Sequence, residues 1–313
     1  MTGVLVIVNP AADGGRTGRR WPGFAVGLRA AGVDFEAAFT TRPGEAAEIS
    51  RRAVSSARGI VLAAGGDGTL NEVVNGFFEG GEAITTESVL GMIPLGSGGD
   101  FRRSFGLPSS PGGVARLLRE GAPRRIDAGR ATFRGHGGAT AERYFINIAD
   151  AGIGGEVVAR VNRSSKRLGG AAAFLMASMA SVLTWRNQPM RVTAGGRSMD
   201  LVAQQVVIAN GRYFGGGMQV APRAAPDDGL LDVLLVGDLG LWENARGLRR
   251  LRSGTHLDDP DPKLEFFRTA RVEVDSTGRV PLDLDGEQPG TLPAVFEVVP
   301  GAISLLAPPA GRE

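Results

Sequence analysis

Five apolar residues, Ile60-Val61-Leu62-Ala63-Ala64, run without interruption into Gly65-Gly66-Asp67-Gly68-Thr69 and then Leu70-Asn71-Glu72-Val73-Val74-Asn75. An unbroken apolar run this short reads as a strand buried on both faces, and the glycines that close it permit a sharp turn. Beyond the turn Leu70, Val73, Val74 and Phe77 recur at helical spacing, and Thr69 with Glu72 has the spacing of a capping box. The passage predicts strand, glycine turn and a helix that starts at the loop. The alternation recurs upstream: Val4–Val8, a helical pattern over Arg19–Ala31, Phe35–Thr40, a helical pattern over Glu45–Ser55, then Ile60–Ala64. Continuous apolar runs alternating with amphipathic segments predict an α/β domain, a parallel sheet with helices on both faces, over residues 1–126.

After Asp127 the pattern changes to short strand-like stretches separated by turn residues: Tyr144–Ile148, Met190–Ala194, Val202–Ile208, Leu231–Val236, Arg271–Val274, Val280–Asp285 and Ala294–Val298. Together they predict a β-rich antiparallel domain over residues 127–307, followed by a frayed tail at 308–313. A length of 313 residues suits two such domains. The uncharged run Leu168–Trp185 approaches membrane-spanning length, but Gly, Ala and Ser make up half of it, so a buried helix is expected. Leu239–Arg252 places Leu241, Ala245 and Leu248 on one stripe among Arg246, Arg249, Arg250 and Arg252. A surface helix is the simpler reading, and a helix resting on a membrane surface is the other.

The chain has no cysteine and only His136 and His256, which excludes disulfides, thiol nucleophiles and cysteine- or histidine-rich metal sites. Any metal should be a hard cation held by oxygen, such as Mg²⁺. A formal net charge of +2, with lysine only at Lys166 and Lys263, does not suggest a nucleic-acid partner. The N-terminus reads as a strand rather than a targeting signal, so a cytoplasmic location is expected.

Glycines at the end of a strand let backbone N–H groups approach an anion, and the following helix adds partial positive charge. Phosphate is the natural ligand, although a tight βα turn in any open sheet has the same form. Two further loops of this kind, Asn9-Pro10-Ala11-Ala12-Asp13-Gly14-Gly15 and Pro94-Leu95-Gly96-Ser97-Gly98-Gly99-Asp100-Phe101, lie in the same half. In an open parallel sheet such loops converge at one edge, enough for a nucleotide. The P-loop, protein-kinase and dinucleotide fingerprints are all missing. In the second half, Asp283, Asp285 and Glu287 would share one face if extended, which suits a general base or cation, or else a solvated strand edge or turn. Asp227-Asp228-Gly229 with Asp232 could ligate a hard cation, though the turn reading is simpler.

Taken together, Asn9-Pro10, Gly65 to Glu72, Pro94-Leu95-Gly96-Ser97, Phe145-Ile146-Asn147, Asn210-Gly211 with Gly215-Gly216-Gly217, Asp228-Gly229-Leu230-Leu231-Asp232 and Asp285-Gly286-Glu287 resemble the diacylglycerol kinase catalytic-domain family. The resemblance is to its bacterial lipid kinases, relatives of sphingosine and ceramide kinases. It implies an N-terminal nucleotide domain and a C-terminal sandwich-like domain that together transfer phosphate from ATP to a lipid hydroxyl such as that of diacylglycerol. It assigns ATP to Asn9, Thr40, Gly65, Gly66, Asp67, Gly68, Thr69, Leu70, Asn71 and Ser97, with Asp67 near the phosphates and their Mg²⁺. A second, structural Mg²⁺ would sit on Asp228 and the carbonyls of Ala225 and Leu230. Glu287, with Asp285, would be or assist the base. Transient contact with a membrane surface and a homodimer are compatible with this reading. The pattern departs at Gly99, where the family carries asparagine, which puts a contact near that loop in doubt. An NAD kinase-like enzyme and a nucleotide- or lipid-binding regulator without catalysis are the alternative expectations.

Overall fold

The computed structural model describes residues 3–84, 87–96, 99–163 and 170–309. Two compact units result, one of residues 1–126 with 301–313, the other Asp127–Pro300. The chain end expected in the second domain therefore belongs with the first. Residues 301–307 are not a continuation of the sandwich, because Leu305 pairs parallel with Leu90 of the first unit's sheet.

In the first unit the elements run β1 (Val4–Val8), α1 (Ala12–Ala30), β2 (Glu36–Phe39), α2 (Glu45–Ser55), β3 (Ile60–Gly65), α3 (Asp67–Asn75), a small hairpin β4–β5 (Phe78–Glu79 and Glu82–Ala83), β6 (Val89–Pro94), α4 (Asp100–Phe105) and α5 (Pro111–Glu120). Strands lie in the order β2-β1-β3-β6, all parallel. Val6, Ile7, Val8, Val61, Leu62, Ala63 and Ala64 are buried throughout, as a sheet covered on both faces demands. Helix α1 packs with α5, and α2 with α3.

After α5 the chain continues with β7 (Ala122–Gly135), which leads into the second unit, β8 (Thr140–Phe145), β9 (Ile148–Gly152), α6 (Ile153–Arg163), α7 (Gly170–Thr184), β10 (Gln188–Ala194), β11 (Arg197–Ala203), β12 (Gln205–Ala209), β13 (Leu231–Val236), α8 (Leu241–Ser253), β14 (Leu264–Thr269), β15 (Arg271–Ser276), β16 (Leu282–Leu284) and β17 (Gly290–Ala307), which returns to the first. An antiparallel sheet β14-β13-β12-β9-β16 packs across a shared core from strands that include β10, β15 and β17. Phe145, Ile208, Val233, Val272, Leu282 and Phe296 meet there from both layers. This is the antiparallel sandwich that the short strands predict. Two expected strands split: Tyr144–Ile148 divides between β8 and β9, and Val202–Ile208 between β11 and β12.

Helix α7 is not the buried helix expected of its apolar run. Ala177 and Ser181 are buried, but Met176, Met179 and Leu183 are 59%, 61% and 69% exposed. Among the described residues no helix is long and apolar enough to cross a membrane.

Candidate active site

Because β2, β1, β3 and β6 are parallel neighbours, the loops that leave their C-terminal ends lie side by side. The loops are stitched together by backbone groups: Asn9 N–H donates to Ala64 O at 3.1 Å, Thr40 N–H to Val8 O at 2.9 Å, and both Leu95 and Gly96 N–H to Gly65 O at 3.0 Å. Asn9 Nδ2 donates to Thr69 Oγ1 at 3.2 Å, and its Oδ1 accepts from Ala11 N–H. A Cβ on Gly96 would stand 2.7 Å from Gly66 Cα, and one on Gly65 would stand 2.3 Å from Thr69 Oγ1. The two loops touch only because these residues are glycines. Asn9, Thr40, Gly65, Gly66, Asp67, Gly68 and Thr69 are thus brought to one edge, while Ser97 lies outside the described residues. Leu70 differs: its side chain is in the core and its N–H is taken by Gly66 O at 3.1 Å. Asn71 is also fully buried, within α3.

The expected capping box does not form. Helix α3 starts three residues earlier, at Asp67, with Gly66 as an N-cap that makes no side-chain bond, and Glu72 Oε2 instead accepts from Gly44 N–H at 3.1 Å. Asp67 therefore occupies the helix's first turn. Its Oδ2 accepts from Gly99 N–H at 2.9 Å and Asp100 N–H at 3.1 Å, while its buried Oδ1 has no partner. Burial pushes this carboxyl above the ordinary range, the Gly99 N–H holds it down in part, and the Asp100 charge adds to the rise. Gly99, at φ 99°, occupies a conformation that strains any side chain, and what it supplies is its backbone N–H. Arg20, which sequence reasoning overlooked, reaches the same edge from α1 and donates to Leu95 O at 3.1 Å.

The extended face expected of Asp283, Asp285 and Glu287 is absent. Asp285 and Gly286 have φ 51° and 88°, and Leu284 and Glu287 exchange backbone bonds at 2.8 and 3.0 Å, so the chain turns tightly here. Asp285 is drawn inward, where its oxygens accept from the N–H groups of Ile146, Asn147 and Ile148 at 2.9–3.0 Å. Both its oxygens thus hold the β8–β9 junction, a structural part beside the role in proton transfer expected of it. Glu287, half-buried at the end of the turn, remains the candidate base.

Both carboxylate oxygens of Asp228, expected on a structural Mg²⁺, have partners within the chain. One oxygen accepts from Leu230 N–H at 3.1 Å and the other forms an ion pair with Arg268. An arginine thus neutralises the carboxylate in this structure and would compete with a cation for it. No metal-binding group of His, Asp and Glu occurs among the described residues. Asp127, 2% exposed and unremarked in the sequence, organises this region instead. Its Oδ2 accepts from Gly229 N–H at 2.7 Å and its carbonyl from Asn210 Nδ2 at 3.0 Å.

Behind the turn lies a group that only strand pairing reveals. Asp283 stands opposite Asp150 in the β16–β9 register, and both are fully buried. Asp283 Oδ1 accepts from Gly286 N–H at 2.7 Å, but Asp283 Oδ2 and both Asp150 oxygens lack partners. Burial raises Asp150 to about 7, against which the nearby Gly155 and Gly154 amides act only in part. Burial, and then the Asp150 charge, raise Asp283 well above the ordinary range. A carboxyl raised in the folded state contributes stability that is complete below the ordinary aspartate range and is lost as pH climbs through about 7. Asp150→Asn abolishes that loss, because an amide does not titrate. The variant should gain on wild type by about 2–3 kcal/mol more at pH 8 than at pH 5, in urea unfolding. An advantage equal at both pH values would show that Asp150 does not titrate in this range.

The sequence matches the family description "Diacylglycerol kinase catalytic domain" over residues 3–131 and "YegS C-terminal NAD kinase beta sandwich-like domain" over residues 147–307. A probable lipid kinase YegS-like protein of Chromohalobacter salexigens is 34% identical over 295 residues, covering 91% of this chain and 88% of the relative. A diacylglycerol kinase of Staphylococcus carnosus is 28% identical, covering 93% and 90%. A crystal structure of a putative diacylglycerol kinase from Bacillus anthracis superposes with a TM-score of 0.74 at 24% identity, covering 99% and 98%, which speaks to the fold. An α/β unit with glycine loops at its strand ends, followed by this sandwich, defines a kinase of the lipid-directed class. The chain belongs to the diacylglycerol kinase catalytic-domain family, in its bacterial lipid kinase group.

Proposed function

We propose that the chain transfers the γ-phosphoryl group of ATP, taken as its Mg²⁺ complex, to the hydroxyl of a diacylglycerol-like lipid. The observation that carries this reading is Asp67, held in a glycine-lined helix start with one buried carboxylate oxygen unpartnered. An ionised oxygen without a donor is suited to a cation, so Asp67 would hold the Mg²⁺ that neutralises charge on the phosphates. The backbone around Gly65–Gly68 and the side chains of Asn9, Thr40 and Thr69 would bind and orient the nucleotide. In the transfer, the lipid oxygen bonds to the γ-phosphorus, the bond to the β-phosphate bridging oxygen breaks, ADP leaves, and Glu287 takes the hydroxyl proton.

The transition state of such a transfer is loose, so proton removal contributes less than positioning and charge neutralisation. Glu287→Gln should lower kcat about 10²-fold and leave ATP affinity within about twofold. Loss of ATP binding in that variant would remove Glu287 from the role of base.

The test is transfer of labelled γ-phosphate to a total lipid extract by wild type, Asp67→Asn and Glu287→Gln. A labelled lipid made only by wild type supports the reading and identifies the acceptor by mass. Protein that labels no lipid and binds no nucleotide would overturn it. Labelled NADP from NAD would favour the NAD kinase-like alternative, and tight ATP binding without turnover the regulator.

A further inference from the structure

Helix α8 spans Leu241–Ser253 and none of its residues is buried. Leu251 and the preceding Leu239 lie partly buried against the core of Ile148, Val207, Leu234 and Val236, which fixes the helix's inward side. Leu241 and Leu248 flank that side, 53% and 45% exposed, and the side facing away carries Trp242, 84% exposed, with Ala245. Arg246, Arg249 and Arg252 are exposed among these apolar residues. The helix has a single acidic residue, Glu243, which caps Gly240 N–H at 2.7 Å and pairs with Lys263 at 2.7 Å. Among the described residues none of the three arginines has an acidic partner.

An exposed tryptophan among unpaired arginines, with exposed leucines along one flank and no acid between them, is the reverse of what a free surface helix selects. Close by is an unpartnered apolar stripe. Met176, Met179 and Leu183 of α7 are exposed at helical spacing on a helix without charge. Asn187, just beyond α7, donates through Nδ2 to Asp238 Oδ1 at 2.7 Å and Leu239 O at 3.3 Å, just before α8.

We infer that the outward face of α8, with the α7 stripe tied to its start, docks on an anionic lipid surface. The inference rests on the lipid-kinase reading, since an enzyme whose acceptor lies in a bilayer has to reach it there. Charge decides the occupant. The arginines around Trp242 attract phosphatidylserine-type headgroups while Trp242 and the flanking leucines enter the interface. A second copy seated symmetrically on this face would oppose arginine to arginine.

The experiment is co-sedimentation of the full chain with phosphatidylcholine vesicles, neutral or containing about one-third phosphatidylserine. Wild type should bind the anionic vesicles, more weakly at high salt, and the neutral ones poorly. Reversing all three arginines to glutamate should weaken binding about 100-fold, and Trp242→Ala about tenfold. Neither change should alter nucleotide affinity or transfer to a short-chain acceptor presented in detergent, because α8 contributes no buried side chain. Variants that bind vesicles as wild type does, or wild type that prefers neutral vesicles, would overturn the inference. So would a concentration-dependent dimer that Trp242→Ala dissolves, which would assign the face to a second copy. Vesicle binding without phosphorylation of any lipid would leave the docking face standing and remove the kinase reading alone.

Discussion

Asp67→Asn should lose phosphoryl transfer by about 10³-fold or more while the protein becomes no less stable. The change removes a negative charge and keeps an oxygen able to accept from Gly99 and Asp100 N–H, which the wild-type Oδ2 does at 2.9 and 3.1 Å. Burial works against the charged form of this carboxyl, so its ionisation is a cost the fold carries. The two N–H groups offset that cost only in part, and the unpartnered oxygen leaves room for the cation proposed above to offset the rest. Replacing it should therefore separate activity from stability. The check is kcat/KM for ATP alongside the unfolding midpoint of the same preparation. An active Asp67→Asn would show that the unpartnered oxygen holds no cation. An inactive variant that is also several degrees less stable would make the carboxylate structural.

Asp285→Ala should do the opposite, failing first in stability. Ile146, Asn147 and Ile148 direct their N–H groups at this one carboxylate, and the junction is buried. Each unsatisfied donor costs about 1–3 kcal/mol, less whatever water recovers, and alanine at φ 51° adds about 1 kcal/mol of strain. A loss of about 4 kcal/mol is expected in urea unfolding. Asp285→Asn, which tolerates the left-handed conformation and retains one acceptor oxygen, should lose about half as much. If alanine costs under about 1 kcal/mol, the three N–H groups find other acceptors and Asp285 becomes available for chemistry after all.

The contrast between these two aspartates shows what could be read in the sequence. Asp67 was legible because the signals around it are local: a run of apolar residues, a glycine turn and a helical stripe lie within sixteen consecutive residues, Ile60–Asn75. Parallel order then follows from the repeating strand and helix, and parallel strands send their loops to one edge. The sandwich was legible for a similar reason, as short strands punctuated by turn residues. Asp285 was misplaced because alternation supposes an extended chain, whereas Asp285-Gly286 is also a strong turn signal and the turn prevailed. That Arg268, forty residues away in the chain, pairs with the Asp228 carboxylate could not be read locally.

The sequence by itself determined the two-part architecture, the strand-end loops and the residues from Asn9 to Thr69 that gather there, since each depends on periodicity and turn chemistry within a few neighbours. Tertiary structure alone decided that Asp150 faces Asp283, that three N–H groups occupy Asp285, that the last described residues return to the first unit, and that α7 turns an apolar stripe, and α8 Trp242 and its arginines, outward. These depend on strand register and on which face of a helix finds a core to cover. Such choices are made by pairing energies between segments far apart in the chain, and no local pattern encodes them.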